Sequence, residues 1–229
     1  AAEQTVDLAG ITAGGGESQP LKVTATSSNS ALIPDPTVSY TSAEATGALK
    51  FTPLADQYGT TTISVTVEDG GLDNDLSTTV DNAAITQIFE VIVDPVNDVP
   101  TLSAISNLAI DEDSSEQTVN LAGITAGGGE TQVLRVTAVS SNPDLIADPT
   151  VTYTSAEATG KLKFTPLPDQ YGSATITVTV EDGGLDNDLS TSADNAAVTE
   201  TLEVVVDPVN DVPTLAGLSN LSLDEDAVE

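Results

Sequence analysis

The chain has no cysteine, histidine, methionine or tryptophan, and its 229 residues include five basic side chains against 36 acidic ones. Each gap removes a class of function. Without cysteine there is no disulfide framework and no thiolate nucleophile. Without histidine, a nucleophilic serine or threonine lacks its usual base, and zinc, copper or iron lack nitrogen and sulfur ligands. The remaining acid–base groups are carboxylates and a few lysines, and the acidic pairs recur in both halves of the chain, which a single cleft would not require. No catalysis is expected. A formal charge of −31 repels nucleic acid and anionic lipid, so neither is an expected partner. No apolar run approaches the roughly 18–20 residues that span a bilayer, so no membrane insertion is expected either. Four tyrosines and three phenylalanines are the whole aromatic complement, which leaves the core to Val, Ile, Leu and Ala.

What is present is repetition. Residues 3–115 recur as residues 116–228, and 28 of the 113 aligned positions differ. Many differences are conservative, such as Ile85/Val198 and Ser64/Thr177. A period this long is a whole domain rather than a solenoid turn, so the pattern is that of a slice of a tandem array. The tail, residues 219–226 (SNLSLDED), restarts the motif of residues 106–113 (SNLAIDED). The expected organisation is a first repeat at 1–98 without its opening strand, a second at 99–211, and a linker with the first strand of a third at 212–229.

Period-two alternation runs through each copy and no segment holds a helical period. In the second copy it predicts strands at 108–110, 118–124, 134–139, 150–153, 161–164, 174–180 and 201–206, labelled A to G. Ile176, Val178 and Val180 should face inward with Leu162 and Phe164, while Lys161 and Lys163 face water. Gly and Pro punctuate the gaps. Seven short strands in about 100 residues predict an immunoglobulin-like sandwich, giving an all-β chain of tandem seven-stranded Greek-key Ig/cadherin-like β-sandwiches. Tyr171 falls where a tyrosine corner would lie, with packing in the core as its expected duty. The A–B and E–F loops and the exit segment should gather at one pole of each sandwich, and the B–C and F–G loops at the other. Acidic residues crowd both poles. The F–G loop Glu181-Asp182-Gly183-Gly184-Leu185-Asp186-Asn187-Asp188 would meet the exit segment of the preceding copy.

The exit sequence Val93-Asp94-Pro95-Val96-Asn97-Asp98-Val99-Pro100 and its copy at 206–213 resemble the V-x-x-V-N-D-x-P ending of bacterial cadherin-like, Ig-like tandem repeats from large surface adhesins. The likeness continues through "TVNLAGITAGGGE" and "FTPLADQYGTTTISVTVEDGG", and so covers nearly the whole chain. It implies a calcium-binding linker. Asp94, Asn97 and Asp98 match the linker ligands of the cadherin pattern, and Asp56 falls at its acidic position after strand E. Glu112, Asp169, Asp207, Asn210 and Asp211 match one repeat further on. One departure stands out: the Asp-x-Asp of that pattern after strand B is replaced by Ala13-Gly14-Gly15-Gly16-Glu17 and by Ala126-Gly127-Gly128-Gly129-Glu130. Either Asp182, Asp186 and Asp188 of the F–G loop supply the missing oxygens, or fewer ions bind.

Calcium suits a set made of hard oxygen ligands alone, since it takes roughly 6–8 of them. The competing reading of Asp-Pro-Val-Asn-Asp is a plain turn, because Asn and Asp beside Pro are good turn formers. Asp-Gly-Gly-Leu-Asp-Asn-Asp does not have EF-hand spacing, so a solvated hairpin loop competes there. The expected function is a non-catalytic extension or adhesion module of a large bacterial surface or secreted protein, extracellular, with calcium stiffening the junctions between neighbouring repeats. Its rival is a polysaccharide-binding module, with a cell-surface or polysaccharide target. Residues 219–223 copy the strand that the first repeat lacks, so head-to-tail strand exchange between molecules is a further expectation.

Overall fold

The structure, a computed structural model, describes residues 1–78, 80–223 and 225. Among these it contains thirteen β-strands and no helix, hence no helix long and apolar enough to cross a membrane. The first copy supplies β1 (Gln4–Ala9), β2 (Leu21–Ser27), β3 (Thr37–Ser39), β4 (Thr46–Phe51), β5 (Gly59–Asp69) and β6 (Ala84–Val93). They form two three-stranded sheets, β1-β4-β3 and β2-β5-β6. Alternation explains the pairing: Val6 lies opposite Leu49 on one sheet, and Val23 opposite Val67 on the other. The two inner faces share one core, in which Ile33, Leu49 and Ile63 are wholly buried.

The second copy supplies β7 (Leu108–Asp111), β8 (Gln117–Ala122), β9 (Leu134–Ser140), β10 (Thr150–Thr152), β11 (Thr159–Phe164), β12 (Gly172–Asp182) and β13 (Ala197–Asp207). Its sheets run β10-β11-β8 and β7-β13-β12-β9. In strand letters these are D-E-B and A-G-F-C, an Ig/cadherin-like sandwich. The extra member, β7, joins β13 in parallel, from Leu108 opposite Val204 to Asp111 opposite Asp207. Ile176, Val178 and Val180 are fully buried, and Leu162 and Phe164 are also in the core, as the alternation requires. β12 and β13 outrun their β-branched centres by several residues, because a ladder continues while a paired neighbour extends with it.

Tyr171 departs from expectation. It is 66% exposed, as is its counterpart Tyr58. Leu145 and Ile146, from the β9–β10 connection, are buried at that end, where Leu167 N–H donates to the Leu145 carbonyl. The ring is left outside.

The described chain falls into two compact units. The first comprises Ala1–Thr101 with Thr125–Arg135 and Glu181–Val198; the second comprises Leu102–Ile124, Val136–Val180 and Thr199–Glu229. The linker after β6 therefore belongs to the same unit as the glycine loop after β8 and the loop after β12.

Candidate metal centre

In the second unit, the short strand β7 turns at Asp111 and delivers Glu112 and Asp113 in opposite senses. Glu112 is buried, its N–H donates to the Asp207 carbonyl at 2.8 Å, and its Oε1 accepts the Val209 N–H at 2.7 Å. This carboxylate ties the start of the exit segment to β7. Asp113 adopts a left-handed φ of 61°, which Asp tolerates better than most residues, and points outward. Asp169, in the turn before β12, has the matching φ of 56°, and its N–H donates to Asp113 Oδ1 at 3.1 Å. Asp211 of the exit segment completes the group. Carboxylate oxygens of Asp113, Asp169 and Asp211 lie within 4.8 Å of one another, all three residues exposed.

Three loops far apart in sequence thus bring three negative groups to one point, the one such acidic trio among the described residues. Like charges this close repel unless a cation lies among them. The donors are all hard oxygens, up to six from the carboxylates alone, which fits Ca²⁺ and excludes a soft-metal site. Of the residues expected here, Asp169 and Asp211 converge. Glu112 is engaged with the backbone, Asp207 contributes its carbonyl to the strand end, and Asn210 Nδ2 donates to the Asp211 carbonyl at 3.1 Å. Asp113 is the member that sequence reasoning misses. The Asp111-Glu112-Asp113 run is the available signal, but choosing its outward member requires the left-handed turn.

In the first unit, Asp56, Asp94 and Asp98 line one open pocket of about 790 Å³ together with Glu130. The linker is held there by hydrogen bonds. Asn97 Nδ2 donates to Asp182 Oδ1 at 3.1 Å and to the Asp194 carbonyl at 2.9 Å, and Gln132 Nε2 donates to Asn97 Oδ1 at 2.5 Å. The Asp98 N–H donates to Glu130 Oε2 at 3.1 Å. Asp182 is fully buried, and its Oδ1 also accepts the Gly184 and Ala196 N–H groups, each at 2.9 Å. Its Oδ2 is buried without a hydrogen-bond partner.

The glycine loop has a steric role. A Cβ on Gly127 would lie 2.3 Å from the Val99 carbonyl oxygen, and one on Gly128 would lie 2.0 Å from Asp98 Oδ2. Both have positive φ, at 92° and 45°. Only glycine lets the linker come this near.

Asp186 and Asp188 serve their own loop. Asp186 Oδ1 accepts the Asp188 N–H at 2.9 Å, and its Oδ2 accepts Thr191 Oγ1 at 3.0 Å. Asp188 Oδ1 accepts both the Ser190 hydroxyl, at 2.7 Å, and the Ser190 N–H, at 2.8 Å. These bonds, the hydroxyl first, hold the Asp188 carboxyl below the usual carboxylate range. Asp75 and Ser77 repeat the arrangement in the first copy. The acidic hairpin is tied by side-chain-to-backbone turns.

No protein-family model and no curated protein matches the sequence. Among solved structures, the chain is similar to mouse cadherin-23 EC22-24 (11% identity, TM-score 0.42, 80% of this chain and 53% of that one). It is similar to domains 4 and 5 of the S-layer protein SbsC (14% identity, TM-score 0.34, 86% of this chain and 81% of that one). It is also similar to the endo-fucoidan hydrolase MfFcnA4 of glycoside hydrolase family 107 (18% identity, TM-score 0.34, 96% of this chain but 28% of that one). Similarities at this level assign no activity.

Proposed function

We propose that the chain is a non-catalytic extension or adhesion module of a large extracellular, bacterial surface or secreted protein, with Ca²⁺ stiffening the linkers between its repeats. The observation that carries the calcium reading is the convergence of Asp113, Asp169 and Asp211 from three separate loops. Those side chains would hold the ion, with backbone carbonyls and water making up the roughly 6–8 oxygens. Bound there, calcium supplies a counter-charge that turns mutual repulsion into a tie between β7, the turn before β12 and the exit segment. In the first unit, Asp56 and Asp98 occupy the repeat-equivalent positions of Asp169 and Asp211, and they share their pocket with Asp94 and Glu130. Asp182, Asp186 and Asp188 contribute to stiffness as hydrogen-bond acceptors for linker and loop.

Calorimetric titration with calcium tests this reading. The native chain should give saturable binding, and the Asp169→Asn/Asp211→Asn double variant should lose the second-unit component.

One observation favours a second reading, polysaccharide binding. Tyr58 and Tyr171 each present an exposed ring, the kind of platform on which a sugar stacks. A glycan array separates the two: binding abolished by Tyr58→Ala/Tyr171→Ala supports the rival, and calcium binding with no glycan signal supports the module proposed here.

A further inference from the structure

Resemblance makes the linker residue Asn97 a calcium ligand, and its surroundings in the first unit do not fit that role. A ligating amide turns its oxygen to the ion. Asn97 Oδ1 is instead taken by Gln132 Nε2, and its Nδ2 faces two acceptors, Asp182 Oδ1 and the Asp194 carbonyl. Turning the amide over would set its oxygen against both of those oxygens, so the donor must face them. Asp182 Oδ1 receives three N–H groups in all, from Asn97, Gly184 and Ala196. Three positive donor ends around one oxygen stabilise the carboxylate and oppose a cation at the same place. The Asp-x-Asp that would supply further oxygens is replaced by Gly127 and Gly128, which carry none in their side chains. The space that side chains there would need is filled by the Val99 carbonyl and the Asp98 carboxylate.

Burial makes these contacts strong. Asp182 is fully buried and its Oδ2 has no partner, so stabilising the charge falls on the donors to Oδ1. The repeat-equivalent Asp69 makes the same two loop bonds, accepting the Gly71 N–H at 3.0 Å and the Ala83 N–H at 2.9 Å. The loop itself therefore sets the acceptor, and Asn97 adds the third donor. An asparagine amide offers two N–H groups to these acceptors and an oxygen to Gln132 at once, whereas an ionised aspartate of the same shape offers no donor.

We infer that Asn97 is a metal-independent latch: a neutral amide, standing where the cadherin pattern would place a cation, seats the linker on the loop after β12. Gln132 is its positioning residue, holding the amide with its nitrogen toward Asp182. The latch does not rest on the calcium reading, which in the first unit concerns Asp56, Asp94 and Asp98. Removal of calcium leaves the linker anchored at Asn97, so the two kinds of tie respond separately to the ion.

Amide hydrogen exchange followed by NMR on the full chain tests the latch, read at Asp98, Gly184 and Ala196. In the native chain these amides should be equally protected in chelator and in saturating calcium. In chelator, Asn97→Asp should lose about tenfold in protection at Gly184 and Ala196, since it removes the donor and faces one carboxylate with another. Asn97→Ala, the milder variant, should move them in the same direction. Asp182→Asn keeps an acceptor oxygen and removes the charge, so a variant that unfolds cooperatively should give the calcium isotherm of the native chain. Three results overturn the inference: native protection that appears only with calcium, loss of a calcium-binding event in Asp182→Asn, or native-like protection of Asn97→Asp and Asn97→Ala in chelator. A native chain that binds no calcium at all contradicts the calcium reading, while the exchange measurements in chelator still decide the latch.

Discussion

Asp113, Asp169 and Asp211 stand out among the carboxylates of this strongly acidic chain in lying within 4.8 Å of one another. Asp188 is the opposite case, a carboxylate satisfied by Ser190. Its lowered folded pKa means that its stabilising effect is present above the ordinary carboxylate range and is lost as pH falls through the lower folded value. Ser190→Ala should move that titration back up, a change readable by carboxyl carbon NMR. Glycine obeys a similar division. Gly128→Ala should lower stability, because its Cβ meets Asp98 and its φ is left-handed, whereas Gly15→Ala carries the backbone strain alone. Comparing the two in urea isolates the steric part. Residue roles of this kind are the least legible in the sequence. Resemblance makes Glu112 a ligand, yet pairing of β7 with β13 buries it against Val209. Position in the repeat makes Tyr171 a core ring, and Leu145 and Ile146 fill that space instead.

Among the elements, the strands are legible because alternation is a direct record of which face is buried. Ile176, Val178 and Val180 are inward by pattern and inward in fact. Replacing Ile176 by Ala should cost about 2–5 kcal/mol in denaturant unfolding, while Ile88→Thr on exposed β6 should be near neutral. Partnerships between elements are legible only at the level of poles: that the exit segment meets the F–G loop follows from topology, but Asn97 as its central hydrogen-bonding group does not. Asn97→Ala leaves the buried Asp182 with one acceptor bond fewer, at a cost of about 1–3 kcal/mol. The Gly184 and Ala196 amides, which share Asp182, should then exchange faster with solvent.

For the molecule as a whole, a net charge of −31 works against any compact state through self-repulsion. Screening by simple salt should raise the melting temperature even with a chelator present, and calcium should raise it further at concentrations too low to screen. The repeat itself, its length and its all-β class are open in the sequence, since near-identity between copies and strand-length punctuation need no coordinates.

Three carboxylates drawn from separate loops of the second copy form the proposed calcium site. Isothermal titration of the native chain against the Asp113→Asn/Asp169→Asn/Asp211→Asn variant tests it most directly. Loss of one saturable calcium-binding event in a variant that still unfolds cooperatively is the predicted result. Identical calcium isotherms for the two proteins, or no calcium heat from the native chain, would contradict it.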